Sequence, residues 1–157
     1  MVSNSNIRDG AGIAGHDIRI LLVEDDPDDI FLMKRALNAT GMSIALDVAN
    51  NGEEALHLLR EQNAEQSVDA VNLILLDLNM PTMDGATFLR HLRADPVFSR
   101  IPAVVVTTSD DPDVVRKAYE IGANSVITKA TSKDGMMRIM QTIVDYWFHT
   151  SHLYYVD

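Results

Sequence analysis

Polar side chains of the kinds that carry chemistry stand directly after short aliphatic runs in this 157-residue sequence. The run ILLV is followed by Glu24 and Asp25, LILL by Asp77, AVVV by Thr107, and SVIT by Lys129. Carboxylates that are packed together repel each other, so at neutral pH a group of them needs a cation. The chain has no cysteine and no histidine at these positions, so the ligands are hard oxygens, which favour Mg²⁺ or Mn²⁺ over Zn²⁺.

A lysine and a hydroxyl group that face such a metal ion form a cradle for a phosphoryl group in transfer. A carboxylate at the centre can itself act as the nucleophile and become an aspartyl phosphate. Asp77 is the best candidate for this nucleophile, because it ends the middle strand of those predicted. Taken alone, Asp77 is equally compatible with a carboxylate that caps a turn, and Lys129 with an ordinary surface lysine.

Extended and helical patterns alternate along the chain from residue 18 onwards. Each aliphatic run is followed by a segment with helical periodicity, and the segments at Pro27 and Pro112 open with the acid and proline that favour a first helical turn. This β–α unit, repeated five times, predicts an α/β fold with a doubly wound five-stranded parallel sheet. Ligands of such sheets bind beyond the carboxyl ends of the strands. The predicted strands are residues 18–24, 43–49, 71–77, 102–108 and 124–129.

The composition narrows the classes of function. The chain is 46% hydrophobic and 23% charged, with a formal net charge of −10, which argues against binding to nucleic acid or to an anionic membrane surface. It has no apolar run of about 18 residues that would span a membrane. We therefore expect a cytoplasmic protein with a flexible N-terminal tail over residues 1–17, one domain over 18–150, and a C-terminal tail over 151–157.

Four motifs make the sequence resemble a known family. ILLVEDDP, LILLDLNMPTMDG, IPAVVVTTS and GANSVITK, in this order over residues 18–148, are similar to the receiver domain of two-component response regulators. The resemblance implies the (βα)5 flavodoxin-like receiver fold, with Asp77 as the phosphoacceptor. It also implies a metal ion held by Asp25, Asp77 and the backbone carbonyl of Asn79, with Glu24 acting through water.

The same resemblance gives roles to the other polar residues near the strand ends. Thr107 is then the switch hydroxyl, and Lys129 is the lysine that contacts the phosphoryl group. Asn79 and Ser109 occupy positions that tune the lifetime of the phosphorylated state in this family. A receiver catalyses only its own phosphorylation and dephosphorylation, so we expect no enzyme with an external substrate.

A narrower resemblance concerns the partners. ILLVEDDPDD, RADPVFSRIPAVVVTTS and the late pair Tyr146-Trp147 are similar to phytochrome-associated single-domain response regulators, which implies a sensor histidine kinase of the bacteriophytochrome type as phosphoryl donor. That subgroup dimerises through its last helix, and we expect a homodimer here. The apolar residues of this helix fit either a broad core face or a self-association surface. The dimer candidates are Met140, Ile143, Val144, Trp147 and Phe148.

Two positions depart from the pattern of the family. Ala130 follows Lys129, where the family has a proline after a cis peptide bond. Because a cis bond before a residue other than proline costs about 3–4 kcal/mol, we predict a trans peptide here. Val126 replaces the aromatic switch residue and is too small to swing between buried and exposed positions. Thr107 and the loop after it must then transmit phosphorylation by another rearrangement.

Two other functions fit parts of the pattern. An aspartate-nucleophile phosphatase of the haloacid dehalogenase type needs a second aspartate two residues after the nucleophile as general acid. That position is Asn79, whose amide cannot serve as a general acid. A degenerate receiver that only binds other proteins is the second alternative, and it would not be modified by acetyl phosphate and Mg²⁺.

Overall fold

The computed structural model describes residues 18–64, 70–80 and 82–153. Its strands are β1 (Ile18–Val23), β2 (Ile44–Ala49), β3 (Leu73–Leu76), β4 (Ala103–Thr107) and β5 (Ser125–Thr128). They form one five-stranded sheet in the order β2-β1-β3-β4-β5, and all neighbours are parallel. The predicted doubly wound α/β fold is confirmed. The expected tail over residues 1–17, and residues 154–157 of the second tail, lie outside the described residues.

The inner strands are buried on both faces. Every residue of β3 and β4 is buried, whereas the edge strands β2 and β5 consist mostly of half-buried residues. This difference explains the near-continuous Val, Leu and Ile runs of the inner strands, because neither face of those strands contacts water. The sequence pattern thus identified the centre of the sheet.

Five α-helices follow the strands: α1 (Pro27–Ala39), α2 (Gly52–Ala64), α3 (Gly85–Ala94), α4 (Pro112–Glu120) and α5 (Lys133–Val144). All five begin after a side chain that accepts a backbone N–H of the first turn. The capping residues are Asp26, Asn51, Asp84, Asp111 and Ser132. Pro27 and Pro112 lie in the first turns of α1 and α4, as predicted.

The helices cover the two faces of the sheet as two separate apolar layers. α2, α3 and α4 pack on one face around Leu21, Ile74 and Val105. α1 and α5 pack on the other face around Leu22 and Leu75. This division leaves the carboxyl ends of the strands uncovered by a helix, at the point where the order of the sheet reverses between β1 and β3.

Three of the five dimer candidates are core residues of the protomer. Met140 and Val144 are 0% exposed and Ile143 is 3% exposed, and all three lie in the layer between α5, α1 and the sheet. They therefore offer no surface to a second copy in this conformation. The broad-core interpretation of the helix holds for them, whereas Trp147 and Phe148 are half-buried at the edge of the same layer.

The C-terminal segment differs from the single helix that the sequence predicts over residues 132–150. α5 ends at Val144, and Asp145–Thr150 form a wider π-helical turn. The backbone N–H of Ser151 donates to the carbonyl of Tyr146 at 2.7 Å, which closes this turn over five residues. Leu153 packs against the α1–α5 layer.

Replacing Met140 should therefore affect folding. We expect Met140→Ala to lower the free energy of unfolding by about 2–4 kcal/mol, because the cavity forms in a closed apolar layer. Arg138 on the same helix is exposed, and Arg138→Ala should change this free energy by less than about 0.5 kcal/mol. Urea unfolding of both variants checks this, and equal effects would show that α5 is not packed as described.

Candidate functional site

Three carboxylates meet at the carboxyl edge of the sheet. Glu24, Asp25 and Asp77 each place a carboxylate oxygen within 4.8 Å of the others. The backbone holds them there: the N–H of Asp77 donates to the carbonyl of Val23, and that of Glu24 to the carbonyl of Ala49, both at 2.9 Å. Glu24 is 1% and Asp77 7% exposed, while Asp25 is exposed. The cluster thus has two sheltered oxygen ligands and one open to water.

Lys129 brings its ammonium group into this cluster from the end of β5. Its side chain is 8% exposed, and Nζ donates to Glu24 Oε1 at 2.8 Å. Nζ lies 3.8 Å from Asp77 Oδ1, which is an ion pair but not a direct hydrogen bond. The backbone N–H of Lys129 donates to the carbonyl of Thr107 at 2.7 Å. The Lys129–Ala130 peptide is trans, so this prediction is confirmed.

Asp29 is a member of the site that sequence reasoning missed. Its carboxylate accepts from Lys129 Nζ at 2.8 Å, although the residue lies in the first turn of α1. The sequence places Asp29 only in the acidic first turn of the predicted helix at Pro27. The one signal in the sequence that could have indicated this contact was the position of Asp29, about one helical turn after the acidic pair at the end of β1.

Burial and mutual repulsion shift the protonation of these groups. Burial, with the charge of Asp77, raises the pKa of Glu24 to about 7, even though Lys129 donates to it. Burial also raises the pKa of Asp77, against the opposing influence of Lys129 and the backbone N–H of Asn79. Burial alone would lower the pKa of Lys129, but its hydrogen bonds to Asp29 and Glu24 outweigh this and raise it. The carboxylates therefore hold more negative charge than one lysine neutralises.

The Thr107 hydroxyl begins a chain of hydrogen bonds into the β4–α4 loop. Thr107 is fully buried, and its Oγ1 accepts from the N–H of Ser109 at 3.4 Å. Ser109 Oγ accepts from the N–H of Asp111 at 3.2 Å, and Asp111 Oδ1 accepts from the N–H of Asp113 at 2.9 Å. Thr128 Oγ1 donates weakly to the carbonyl of Ser109, at 3.5 Å. The hydroxyl is thus linked to the cap of α4 and to β5.

The turn after Asp77 is positioned by Gly85. A Cβ at residue 85 would lie 2.7 Å from the Cα of Leu78 and closer still to the carbonyl oxygen of Asp77. Only glycine therefore lets α3 start directly beside the end of β3. Asn79, between them, is exposed, and its backbone N–H stabilises the charged form of the Asp77 carboxylate.

The chemistry of the donors fits a hard divalent cation. Every candidate ligand is an oxygen, and burial raises the pKa of Glu24 and of Asp77, so a cation bound beside them would favour their charged forms. Mg²⁺ and Mn²⁺ prefer such carboxylate and carbonyl oxygens. Asp25 and Asp77 would hold the ion directly, with Glu24 beside them.

Comparison with known proteins agrees with this arrangement. Residues 20–141 match the family model of the response regulator receiver domain. This chain belongs to that family. The matched range runs from β1 into α5 and includes each of the site residues described above.

Several relatives of this receiver are phytochrome response regulators. Response regulator Rcp1 of Synechocystis sp. is 35% identical over 131 residues, which cover 83% of this chain and 89% of Rcp1. The crystal structure of the phosphorylated cyanobacterial phytochrome response regulator RcpA is 34% identical, with a TM-score of 0.80 over 87% of this chain and 98% of RcpA. The Mn²⁺-bound form of Rcp1 is 36% identical, with a TM-score of 0.78 over 87% of this chain and 99% of Rcp1.

Membership of the family defines the general function. A receiver of a response regulator is phosphorylated on an aspartate by a sensor kinase, and it is not an enzyme in the ordinary sense. Among the described residues, we find no helix long and apolar enough to cross a membrane.

The raised pKa of Glu24 predicts how stability depends on pH in the metal-free receiver. Because Glu24 binds its proton more tightly in the folded state, its contribution is full below pH 4.5 and is lost as the pH rises through about 7. We expect the contribution of Glu24 to the free energy of unfolding in EDTA to fall by roughly 3 kcal/mol over this range. Glu24→Gln should flatten the decline.

Urea unfolding at several pH values, in EDTA, measures this effect. The same decline in wild type and Glu24→Gln would show that Glu24 is not the group responsible. A stability that rises toward neutral pH would contradict the sign of the pKa shift.

Proposed function

We propose that this receiver accepts a phosphoryl group on Asp77, with Mg²⁺ (or Mn²⁺) bound beside it, in a two-component phosphorelay. One observation carries the proposal: the Asp77 carboxylate lies beside two other carboxylates and 3.8 Å from the Lys129 ammonium. A nucleophile needs room for the incoming phosphorus and positive charge around the transferring oxygens. The edge of the sheet supplies both.

The transfer itself requires little from the protein besides position and charge. An Asp77 carboxylate oxygen forms a bond to phosphorus while the bond from phosphorus to the histidine nitrogen of the kinase breaks, and the electron pair stays on the imidazole. Lys129 Nζ and the Thr107 hydroxyl donate to the phosphoryl oxygens. A divalent ion held by Asp25, Asp77 and the carbonyl of Asn79 would neutralise the remaining charge.

Transmission of the phosphorylated state would begin with a rotation of the Thr107 side chain. Rotation toward a phosphoryl oxygen on Asp77 moves Oγ1 away from the N–H of Ser109, from which it accepts a hydrogen bond at 3.4 Å. The loop then loses its link to β4 and rearranges around Ser109 and Asp111. This route replaces the aromatic switch that Val126 cannot provide. Asn79 and Ser109, beside the acceptor and in this loop, would tune how long the phosphoryl group persists.

Phosphotransfer to Asp77 is the direct test. We expect Asp77→Asn to lose essentially all labelling from a phosphorylated histidine kinase, because an amide oxygen is a far weaker nucleophile than a carboxylate. Asp28→Asn is the matched control, since Asp28 is exposed and its side chain does not contact the site. Labelling should need Mg²⁺ and should be blocked by EDTA.

Two results would contradict the proposal. Equal labelling of wild type and Asp77→Asn would place the phosphoryl group elsewhere. No labelling of wild type by any kinase, or by acetyl phosphate with Mg²⁺, would favour the degenerate receiver that only binds proteins. A phosphatase of the haloacid dehalogenase type is not supported, because Asn79 occupies the position where that enzyme needs an aspartate as general acid.

The donor that we propose is a red-light photoreceptor kinase of the bacteriophytochrome type. The support is the similarity to phytochrome response regulators over most of their length. Transfer should be faster from such a kinase than from an unrelated histidine kinase. We also propose a cytoplasmic location, where ATP-dependent kinases act and a chain without cysteine needs no disulfide.

Self-association is a separate part of the proposal. Trp147 and Phe148 are half-buried beside Tyr146, whose ring meets that of Trp147 edge-on at 5.0 Å, and Tyr146 is 52% exposed. Aromatic residues of this kind are enriched at interfaces. We expect a homodimer at micromolar concentration by light scattering, weakened by roughly tenfold or more in Tyr146→Ala. A monomer mass, with and without phosphorylation, would overturn it.

A further inference from the structure

The most informative contact outside the expected family set joins Asp29 to Lys129. Nζ donates to Asp29 Oδ2 and to Glu24 Oε1, each at 2.8 Å. The side chain of Asp29 is 31% exposed and that of Lys129 is 8% exposed. Such a sheltered pair is screened less by salt than a surface pair, so it restrains the lysine more firmly than most surface ion pairs would.

This contact determines which acceptor the third N–H group of the Lys129 ammonium can reach. An ammonium group has three N–H donors, and Glu24 and Asp29 occupy two of them. Nζ then lies 3.8 Å from Asp77 Oδ1, too far for a hydrogen bond to the carboxylate itself. That separation leaves room for an oxygen of a phosphoryl group bonded to Asp77. The Lys129 ammonium is therefore placed to donate a hydrogen bond to an oxygen of phosphorylated Asp77 rather than to the free Asp77 carboxylate.

We propose that Asp29 is a positioning residue for phosphorylation, which holds Lys129 off the nucleophile and aimed at the incoming phosphoryl group. The inference rests on the proposed phosphorylation of Asp77. Without Asp29, the ammonium is free to close the gap and pair directly with Asp77. A direct pair would occupy the lone pairs of the nucleophile and leave the transferring oxygens without their cation.

If Asp29 acted through its charge alone, the Asp29→Asn variant would be phosphorylated faster, which is the opposite of what positioning predicts. Removing one negative charge near the site would ease the approach of an anionic phosphoryl donor, so a purely electrostatic role makes Asp29→Asn faster. Positioning makes the same variant slower. Asp28→Asn removes an equal charge from the same helical turn without touching Lys129, and it therefore measures the charge effect by itself.

The experiment follows labelling of the full chain by acetyl phosphate over a series of Mg²⁺ concentrations. We expect the limiting rate of Asp29→Asn to fall by roughly tenfold, with Asp28→Asn within about twofold of wild type. The Mg²⁺ concentration at half-maximal rate should be similar in the two variants, because neither residue holds the ion. Asp29→Glu, which keeps a carboxylate in reach of Nζ, should recover much of the rate.

Each other outcome overturns a distinct claim. A rate for Asp29→Asn equal to or above that of Asp28→Asn overturns positioning, as does failure of Asp29→Glu to recover any rate while its thermal melt matches wild type. A fall caused by unfolding would appear in the melt of Asp29→Asn, and Asp29→Glu then decides alone. If wild type and Asp28→Asn are both unlabelled, the proposed phosphorylation of Asp77 fails instead.

Discussion

The site depends on one ammonium group that is shared among carboxylates at the edge of the sheet. Lys129 Nζ donates to Glu24 and Asp29 and lies near Asp77. Two of those carboxylates are almost fully buried, where charge is costly unless it is paired. Burial, with the charge of Asp77, raises the pKa of Glu24 to about 7 even though Lys129 donates to it. A divalent cation at this edge would therefore stabilise the charged forms of the carboxylates.

The fold brings these groups together because of the order of its strands. β1 and β3 are neighbours, and their register pairs Val23 with Leu76, so the acidic pair and Asp77 leave the sheet side by side. β4 and β5 follow on the same side, pairing Thr107 with Thr128, which brings the Thr107 hydroxyl close to Lys129 at the end of β5. Gly85 allows α3 to start against the end of β3 without displacing Asp77. The acidic pair, Asp77, Thr107 and Lys129 thus come together because the strands that carry them end at the same edge of the sheet.

Most of this could be predicted from the sequence, for a physical reason. Parallel strands end at one edge, so the polar residues after the aliphatic runs had to meet. The contact of Asp29 with Lys129 could not be predicted, because a carboxylate in the first turn of α1 fits the sequence pattern whether it faces water or the lysine. Nor could the sequence decide between a core face and an interface for Met140, since both produce the same apolar stripe. Only the packing of α5 against α1 resolves that choice.

A crystal structure with Mn²⁺ and beryllium trifluoride, a mimic of the phosphoryl group, tests the central claim most directly. The account predicts beryllium bonded to a carboxylate oxygen of Asp77, with Lys129 Nζ and Thr107 Oγ1 each within hydrogen-bond distance of a fluorine. The hydrogen bond from Ser109 to Thr107 should then be broken. Beryllium bound to another carboxylate, or Lys129 and Thr107 retaining only their present partners, would contradict it.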